Sequence, residues 1–280
     1  MNKALAIFEL MRLDKPIGIY LLLWPALLAL VISTDGDFEY ADLLIVIAGS
    51  ILVRSAGCVI NDIWDKDLDG GVERTKTRPI PSKKLSISES WTVFAILGVL
   101  SLMLLSLTNT NTIYVSICFG LMIVIYPLTK RFFIGPQIFL GLTFNPTIIV
   151  YAMTNELNNP TMIFLYFAIA AKTIAFDSFY GLCDIDDDKK LGINSTPLWW
   201  GSKTLLIIAI LQFTVICLLL IVGLKAGLSF AWYIGIILLS GFYFYQHRLA
   251  SQKNFLLAFK NNHWASLYLL MLSGFCFLII

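Results

Sequence analysis

Residues 43–69 read LLIVIAGSILVRSAGCVINDIWDKDLD. The first part, 43–60, is mainly apolar and carries a single charge, Arg54, and the chain then becomes abruptly acidic from Asn61 onward. A helix needs roughly 20 mainly apolar residues to cross about 30 Å of hydrocarbon. This stretch therefore predicts a membrane-spanning helix that carries one internal arginine and ends in carboxylates at one membrane surface.

The remainder of the chain has the same apolar character. Its 280 residues include 20 Lys and Arg and 18 Asp and Glu; 14% are charged and 58% hydrophobic, whereas a soluble domain carries about 25% charged residues. The mean hydropathy is +0.81. This composition excludes a disordered chain and argues against a soluble enzyme. The net charge of +2, without a basic run that contains aromatic residues, argues against a nucleic-acid partner.

Charge-free stretches divide the chain into apolar segments of membrane-spanning length. The polar residues 108–112 split the longest stretch into two helices. The predicted helices lie near 17–34, 43–60, 88–107, 112–128, 134–153, 160–182, 204–223, 228–246 and 263–280. No linker separates them, so 1–280 is predicted to be a single polytopic membrane domain. The predicted fold class is an all-α membrane protein, a bundle of nine transmembrane helices.

The positive charges predict the orientation of this bundle. If nine helices alternate in direction, seventeen of the 20 Lys and Arg lie in segments on one side of the membrane, and Lys225 alone lies on the other. Arg54 and Lys172 lie inside predicted helices. Cytoplasmic loops carry an excess of Lys and Arg. The N-terminus is therefore predicted to be cytoplasmic and the C-terminus to lie on the far side.

Ten of the eighteen acidic residues are concentrated near the cytoplasmic ends of two predicted helices. The first group is Asp62, Asp65, Asp67, Asp69 and Glu73, and the second is Asp177, Asp184, Asp186, Asp187 and Asp188. If the helices continue through these residues, Asn61, Asp65 and Asp69 share one face, as do Asp184 and Asp188. Stacked carboxylates repel one another, so a cation is expected between them.

Hard divalent cations prefer oxygen ligands, and Mg²⁺ commonly binds through one or two carboxylates together with substrate phosphates. Arg74, Arg78 and Lys130 lie on the same side of the membrane, where they can bind phosphate oxygens. The pattern predicts a metal–diphosphate site at the membrane surface. The alternative is a solvated acidic loop, with nearby Lys and Arg that reflect only the general excess of positive charge in cytoplasmic loops.

These motifs resemble the signatures of the UbiA intramembrane prenyltransferases. The first signature is Asn61-Asp62-x-x-Asp65-x-x-x-Asp69 followed by Arg74-Thr75-x-x-Arg78-Pro79, and the second is Asp177-x-x-Tyr180-x-x-x-Asp184-x-Asp186-Asp187-Asp188. Further motifs are similar to the family's 4-hydroxybenzoate polyprenyltransferase branch: Arg12-x-Asp14-Lys15-Pro16-Ile17-Gly18, Arg54-Ser55-Ala56-Gly57-Cys58, and Pro136-Gln137-x-x-Leu140-Gly141. Gly192-Ile193-x-Ser195-Thr196 follows the second signature, and together the motifs cover about two thirds of the chain.

The resemblance implies nine helices around a cavity that opens toward lipid. It also implies Mg²⁺-dependent transfer of a polyprenyl group from its diphosphate to the ring carbon ortho to the hydroxyl of 4-hydroxybenzoate. That reaction belongs to ubiquinone biosynthesis, and we expect it in a bacterial inner membrane. Another acceptor, a naphthoate or a porphyrin, is an alternative within the family. A cation-coupled transporter is the alternative from another class, but transporter sites lie near the bilayer midplane and not at one surface.

The resemblance also implies roles for individual residues. The predicted ligands of two Mg²⁺ ions are Asn61, Asp65 and Asp69 for one and Asp184 and Asp188 for the other. The predicted diphosphate-binding cations are Arg74 and Arg78, with Lys130 and Arg12 as further candidates. Asp65, Asp184, Arg74 and Arg78 are the expected catalytic group. Tyr126 and Tyr180 are expected to line the path of the allylic cation through their ring faces.

The arginine inside the membrane is the remaining candidate. A charge within a membrane helix is costly and marks a functional site, so Arg54 is predicted to pair with the carboxylate of the acceptor. The alternative is a structural ion pair with an acid such as Asp177, and Lys172 has the same two interpretations. Asp187 is a further candidate ligand for the second metal. Asp62, Asp67 and Asp186 lie off the two acidic faces, and we expect them in solvent or loop packing.

One segment departs from the branch. After Gly141 the branch usually continues with small, glycine-rich residues, but this chain has Leu142-Thr143-Phe144-Asn145-Pro146. Because proline interrupts helical hydrogen bonding, the segment predicts a kink. If it forms a wall of the acceptor pocket, it influences which acceptor is used.

Overall fold

The computed structural model describes residues 3–278, and within that range all regular elements are helical. The α-helices are α1 Lys3–Leu10, α2 Ile17–Ser33, α3 Tyr40–Trp64, α4 Ile87–Leu105, α5 Thr110–Thr129, α6 Pro136–Thr143, α7 Thr147–Met153, α8 Thr161–Gly181, α9 Ile185–Leu191, α10 Thr196–Trp200, α11 Thr204–Lys225, α12 Phe230–Ser251 and α13 Phe255–Leu278. Two 3₁₀ turns, Asp69–Gly71 and Gly201–Lys203, lie between them. The all-α fold class is confirmed.

Each predicted apolar segment contains helix in this structure, although 134–153 is divided into α6 and α7. The last two residues of the predicted helix 263–280 lie outside the described residues. Five helical stretches are long and apolar enough to cross a membrane: Tyr40–Trp64, Ile87–Leu105, Thr110–Thr129, Thr161–Gly181 and Thr196–Lys225. Ile17–Ser33 is apolar but shorter. The chain is a membrane protein, and the count of nine crossings stays a prediction.

The hydrophobic core lies mainly between α2, α8, α11, α12 and α13. Trp232 and Tyr151 are among its fully buried side chains, and the Trp232 indole donates a hydrogen bond to the Leu219 carbonyl at 2.8 Å. Buried amides also link these helices, because Gln212 Nε2 donates to Gln246 Oε1 at 2.7 Å. Hydrogen bonds between side chains are a common means of joining helices where lipid surrounds the bundle.

The predicted kink is present as a break between α6 and α7. Pro146 has no backbone N–H and therefore cannot continue the helical ladder. Asn145 replaces part of the lost bonding: its Nδ2 donates to the Tyr166 carbonyl at 2.8 Å, and its Oδ1 accepts from the Thr147 N–H at 3.2 Å. Irregular backbone at membrane depth requires such internal partners.

Helix α6 packs against α8 at very short range. A Cβ added to Gly141 would lie 2.5 Å from Ile174 Cγ1 and 2.8 Å from the backbone oxygen of Ala170. Only glycine permits this approach, because a backbone oxygen cannot move aside as a flexible side chain can. The contact holds the start of the broken segment beside the helix that carries Asp177 and Tyr180.

Candidate active site

A cavity of about 930 Å³ lies inside the bundle, and it is lined by every residue predicted from the sequence to bind metal, diphosphate, prenyl group or acceptor, except the further candidate Asp187. Its walls come from α2, α3, α5, α6, α8 and α13, together with the segments that follow α3 and α8. The exposed Asp67 and Asp186 do not contribute to the lining, as expected from their positions off the acidic faces. The structure thus gathers both acidic groups and the cations into one space, while their individual roles stay predictions.

The acidic residues reach the cavity by a different route from continued helices. Helix α3 ends at Trp64 with Asp65 as its C-cap, and Asp69 begins a 3₁₀ turn. Helix α8 ends at Gly181, and Asp184 occupies the position before the first residue of α9. The assumption that both helices continue is wrong. Tight turns nevertheless bring the same side chains toward the cavity.

Asp62 has the largest number of charged partners in the first acidic group. Both of its oxygens accept from Arg12 Nη2, at 2.8 and 2.7 Å, and Oδ1 also accepts from Arg78 Nη1 at 3.0 Å. Arg78 Nη1 in addition donates to Asp69 Oδ2 at 2.8 Å. The expectation that Asp62 lies in solvent or loop packing is wrong, because its side chain is 1% exposed. The chain segment after α1 covers this other face of α3, and helical periodicity alone could not reveal that.

Asp65 is paired on one oxygen only. Its Oδ2 accepts from Lys130 Nζ at 2.7 Å and from Asn61 Nδ2 at 3.1 Å. Its Oδ1 is buried and has no hydrogen-bond partner among the described residues. Leaving a buried carboxylate oxygen unpaired is costly, and such an oxygen suits a hard cation as a ligand.

Asp184 is held by Arg74. Arg74 Nε donates to Oδ1 at 2.9 Å and Nη2 donates to Oδ2 at 2.5 Å, which is a bidentate pair. The same guanidinium donates to the Tyr180 hydroxyl and lies 4.5 Å from the centre of the Tyr180 ring. Tyr180 in turn packs against Phe259 of α13, with ring centroids 4.6 Å apart. These contacts tie the segment after α3 to α8 and α13.

Burial and neighbouring charges shift the pKa values of several groups at this end of the cavity. Burial, reinforced by the negative charge of Asp184, raises the pKa of Asp188 to about 6. Burial also raises the pKa of Asp69, although Arg78 opposes the shift. Burial opposes the charge of Lys130, but Asp65 outweighs that effect and raises the Lys130 pKa. The acids and cations therefore depend on one another for their charge states.

No cluster of three or more Asp, Glu, His or Cys side chains within residues 3–278 is close enough together to hold a metal ion as it stands. Arginine and lysine side chains separate the acids, as the pairs of Asp65 with Lys130 and of Asp184 with Arg74 illustrate. Asp69, Asp184 and one oxygen of Asp65 are engaged with cations, whereas Asp188 has no cation partner among the described residues. Metal binding through the paired oxygens would require those pairs to open.

Arg54 lies apart from these ion pairs. Its Nε is buried without a hydrogen-bond partner among the described residues, and its guanidinium lies 5.3 Å from the centre of the Phe144 ring. No carboxylate in residues 3–278 forms an ion pair with it, so the alternative pairing with Asp177 is not formed. Gly18 makes room for this side chain, because a Cβ there would lie 2.4 Å from Arg54 Nε.

Three further candidates lie around the site in different ways. Lys172 is 2% exposed and donates to Ser266 Oγ of α13, and it is not part of the cavity lining. Asp187 is also outside the lining and contacts Lys190 at 3.4 Å. Thr143 and Phe144 do line the cavity, so the segment that departs from the branch forms part of its wall.

Gln137 forms a supporting contact that was not predicted from the sequence, although the residue belongs to a motif. Gln137 Oε1 accepts the backbone N–H of Thr196 at 2.8 Å, and the hydroxyls of Thr196 and Ser178 lie 2.8 Å apart. These bonds fasten the segment between α9 and α10 to α6 and α8.

The fold and this cavity define an intramembrane enzyme of the prenyl-transfer type. The model described as the UbiA prenyltransferase family matches residues 22–277, and the chain belongs to that family.

Two bacterial relatives are similar to this chain over most of their length. The 4-hydroxybenzoate octaprenyltransferase of Pseudomonas aeruginosa is 40% identical over 265 residues, which is 92% of this chain and 89% of the relative. The protein of the same name from Vibrio vulnificus is 39% identical over 274 residues, 96% of each chain.

Solved structures share the fold at lower identity. A UbiA homolog from Aeropyrum pernix K1 superimposes with a TM-score of 0.80 at 22% identity, covering 90% of this chain and 94% of that one. A UbiA homolog from Archaeoglobus fulgidus, bound to GPP and Mg²⁺, has a TM-score of 0.75 at 17% identity, covering 98% and 100% of the two chains.

The buried pairing of Asp62 generates a stability prediction. Replacing Asp62 with Asn leaves Arg12 and Arg78 without their shared carboxylate, and breaking a buried pair by removing one partner costs about 3 kcal/mol. We expect a clearly lower thermal unfolding midpoint of the protein in detergent micelles. Asp67→Asn is the matched control, since Asp67 is exposed in the same segment. Equal midpoints for the two variants would contradict the buried role of Asp62.

Proposed function

We propose that this protein transfers a polyprenyl group from a polyprenyl diphosphate to the ring carbon ortho to the hydroxyl of 4-hydroxybenzoate, in a Mg²⁺-dependent step of ubiquinone biosynthesis. The single observation that carries this proposal is the cavity itself. It combines an end rich in carboxylates and cations with a separate, unpaired Arg54 deeper in the bundle. The names of the relatives at about 40% identity support the same reaction.

The end rich in charge suits the diphosphate and its metal ions. The residues that would hold Mg²⁺ are Asn61, Asp65, Asp69, Asp184 and Asp188, which all offer oxygen ligands to the cavity. The unpartnered Asp65 Oδ1 supports this fit. When bound, Mg²⁺ acts as a Lewis acid that stabilises negative charge on a departing phosphate oxygen.

The cations differ in how easily they could leave their carboxylate partners to bind phosphate oxygens. Arg74 and Lys130 are each paired with a single carboxylate. Arg12 and Arg78 share the buried Asp62, and we expect them to be less free to move. We therefore assign the main diphosphate contacts to Arg74 and Lys130, with Arg78 held between its carboxylates and the phosphate.

The deeper part of the cavity suits the aromatic acid. The guanidinium of Arg54 has donors free for the acceptor carboxylate, and an arginine–carboxylate pair is strong when bidentate. Phe144 beside it and Tyr126 offer ring faces and apolar surface. Such walls exclude water from an allylic cation, which water would otherwise capture.

The reaction itself requires these parts to act together. The bond between the prenyl C1 and the diphosphate oxygen breaks, and its electron pair leaves with the diphosphate. The ring carbon ortho to the hydroxyl then forms a bond to C1. Arg54 orients the ring for this attack, and the cations at the other end hold the leaving group, which is the usual division between positioning and electrostatic stabilisation.

A reconstitution assay tests this function. Purified protein in lipid vesicles receives labelled 4-hydroxybenzoate, a polyprenyl diphosphate and Mg²⁺, and we expect a prenylated product. EDTA, Asp65→Ala and Asp184→Ala should each reduce the product at least about 100-fold, because transition-state charge stabilisation is lost. A product from a naphthoate but not from 4-hydroxybenzoate would contradict the acceptor, and a product that survives EDTA would contradict the metal.

The same assay reports the sidedness of the site. We propose that the acidic end faces the cytoplasm in a bacterial inner membrane, as the distribution of Lys and Arg supports. Inverted membrane vesicles expose the cytoplasmic face, so EDTA added outside should abolish product formation there. In vesicles with the native orientation, EDTA added outside should leave product formation intact. The reverse pattern would contradict this orientation.

The position of Arg54 generates a kinetic prediction. Arg54→Ala removes a charge-assisted hydrogen bond worth about 1.5–3 kcal/mol, so the KM for 4-hydroxybenzoate should rise by more than about tenfold while the KM for the diphosphate changes little. Gly18→Ala should raise the same KM to a smaller extent, because the added methyl group displaces the Arg54 guanidinium.

Gly98→Ala is the matched control for Gly18→Ala, since a Cβ at Gly98 meets no atom within 4 Å. Steady-state kinetics with each substrate varied in turn provide the comparison. A rise in the diphosphate KM that exceeds the rise in the acceptor KM would move Arg54 to the diphosphate end.

A further inference from the structure

The proposed reaction leaves one proton without a recipient. When the ring carbon bonds to the prenyl C1, that carbon still carries its hydrogen, and the ring regains aromaticity only when the proton leaves. In the proposed function the cations bind the diphosphate and the carboxylates hold Mg²⁺, and Arg54 cannot accept a proton. The following inference therefore rests on the proposed function and concerns the group that receives this proton.

The acids of the cavity differ in their partners. Asp62, Asp65, Asp69 and Asp184 are each ion-paired with arginine or lysine. Asp177 also lines the cavity, but within residues 3–278 it forms no ion pair and accepts no hydrogen bond. Its carboxylate is thus free to accept a proton without first breaking a contact.

Asp188 is the other cavity acid that lacks a cation partner among the described residues. It lies on α9, one turn after Asp184, and its charge interacts with that carboxylate. That position belongs to the end of the cavity that suits diphosphate and metal. Asp177 lies earlier, within α8, seven residues before Asp184, and therefore deeper in the bundle.

The surroundings of Asp177 place it between the two ends of the cavity. Asp177, Arg54 and Tyr126 line the same cavity, and the charges of Asp177, Asp65 and Arg54 all act on the Tyr126 hydroxyl. Lys130 and Arg74, from the diphosphate end, also interact electrostatically with Asp177. The reacting ring carbon must lie between the acceptor carboxylate and the departing diphosphate, and Asp177 interacts with charged groups of both ends, Arg54 on one side and Lys130 and Arg74 on the other.

The side chain is also suitably enclosed. Asp177 is half-buried, and its neighbours along the helix, Phe176 and Ser178, are buried. A carboxylate shielded from bulk water but open to the cavity can take a proton from carbon without competition from a hydration shell. General bases of this kind contribute about 10²- to 10⁴-fold to a rate.

We propose that Asp177 is the catalytic base that removes the ring proton of the acceptor. The C1–O bond of the prenyl diphosphate breaks with its electron pair going to the diphosphate, and a ring π pair forms the new bond to C1. The C–H electron pair then returns to the ring, and the proton goes to a carboxylate oxygen of Asp177. Each turnover ends when that proton passes to water through the open cavity.

The experiment compares Asp177→Asn and Asp177→Glu with wild type, and Asp186→Asn is the control because Asp186 is exposed and outside the cavity lining. We expect Asp177→Asn to lower kcat about 100-fold, with both substrate KM values changed less than about threefold. Asp177→Glu should recover part of the rate, because it restores a carboxylate. Asp186→Asn should match wild type.

Two further readouts separate a base from a structural residue or a metal ligand. With 4-hydroxybenzoate deuterated at both positions ortho to the hydroxyl, the isotope effect on kcat should be close to one in wild type and above about two in Asp177→Asn, since proton removal becomes slow. Binding of Mn²⁺ with geranyl diphosphate, followed by electron paramagnetic resonance, should be unchanged in Asp177→Asn.

Three results would overturn the proposal. An unchanged kcat for Asp177→Asn means that the proton leaves elsewhere. Loss of Mn²⁺ binding in that variant makes Asp177 a metal ligand. A reduced kcat without any isotope effect makes it a structural residue. If wild type forms no product from 4-hydroxybenzoate, the proposed function fails together with this inference. If wild type is active, any of the three results above overturns the inference alone.

Discussion

The pairing of carboxylates with arginine and lysine at one end of the cavity is the constraint on which the site depends. A charge removed from water is costly unless it is paired and hydrogen-bonded. Asp62 with Arg12 and Arg78, Asp65 with Lys130, and Asp184 with Arg74 satisfy this condition. Through these pairs, the chain segments that follow α1, α3, α5 and α8 are fixed around a single opening.

The same pairs explain how one cavity can prepare for both a metal and a diphosphate. In this structure, the carboxylates that could bind a metal ion neutralise the cations that could bind phosphate oxygens. If Asp65 were to hold a metal ion, Lys130 would be released, and if Asp184 were to hold one, Arg74 would be released. Each released cation would then be available to the diphosphate. Metal and diphosphate should therefore assist each other's binding, and linkage makes that assistance reciprocal. Arg54 and Asp177, outside these pairs, remain available for the acceptor.

The sequence predicted the helical segments and the members of the site more successfully than their partners. Apolar runs indicate helices because lipid imposes that length and composition, and Pro146 correctly indicated the break between α6 and α7. The acidic spacing correctly indicated that Asn61, Asp65 and Asp69 face one site, although α3 ends at Trp64. Periodicity describes only the faces of one helix. It could not show that Arg12 would lie across from Asp62, or that Arg54 would have no acid beside it, since both depend on packing between distant segments.

The central claim is that cations at the site compete with metal for the carboxylates. The most direct measurement is the affinity of the purified protein for Mn²⁺ in the absence of any diphosphate, compared between Lys130→Gln and Arg131→Gln. Arg131 is the adjacent cation, but it donates to the Trp64 carbonyl at 2.6 Å and not to a carboxylate. Lys130→Gln should tighten Mn²⁺ binding at least about fivefold, because Asp65 is released, while Arg131→Gln should have little effect. Weaker Mn²⁺ binding in Lys130→Gln, or equal changes in the two variants, would contradict the account.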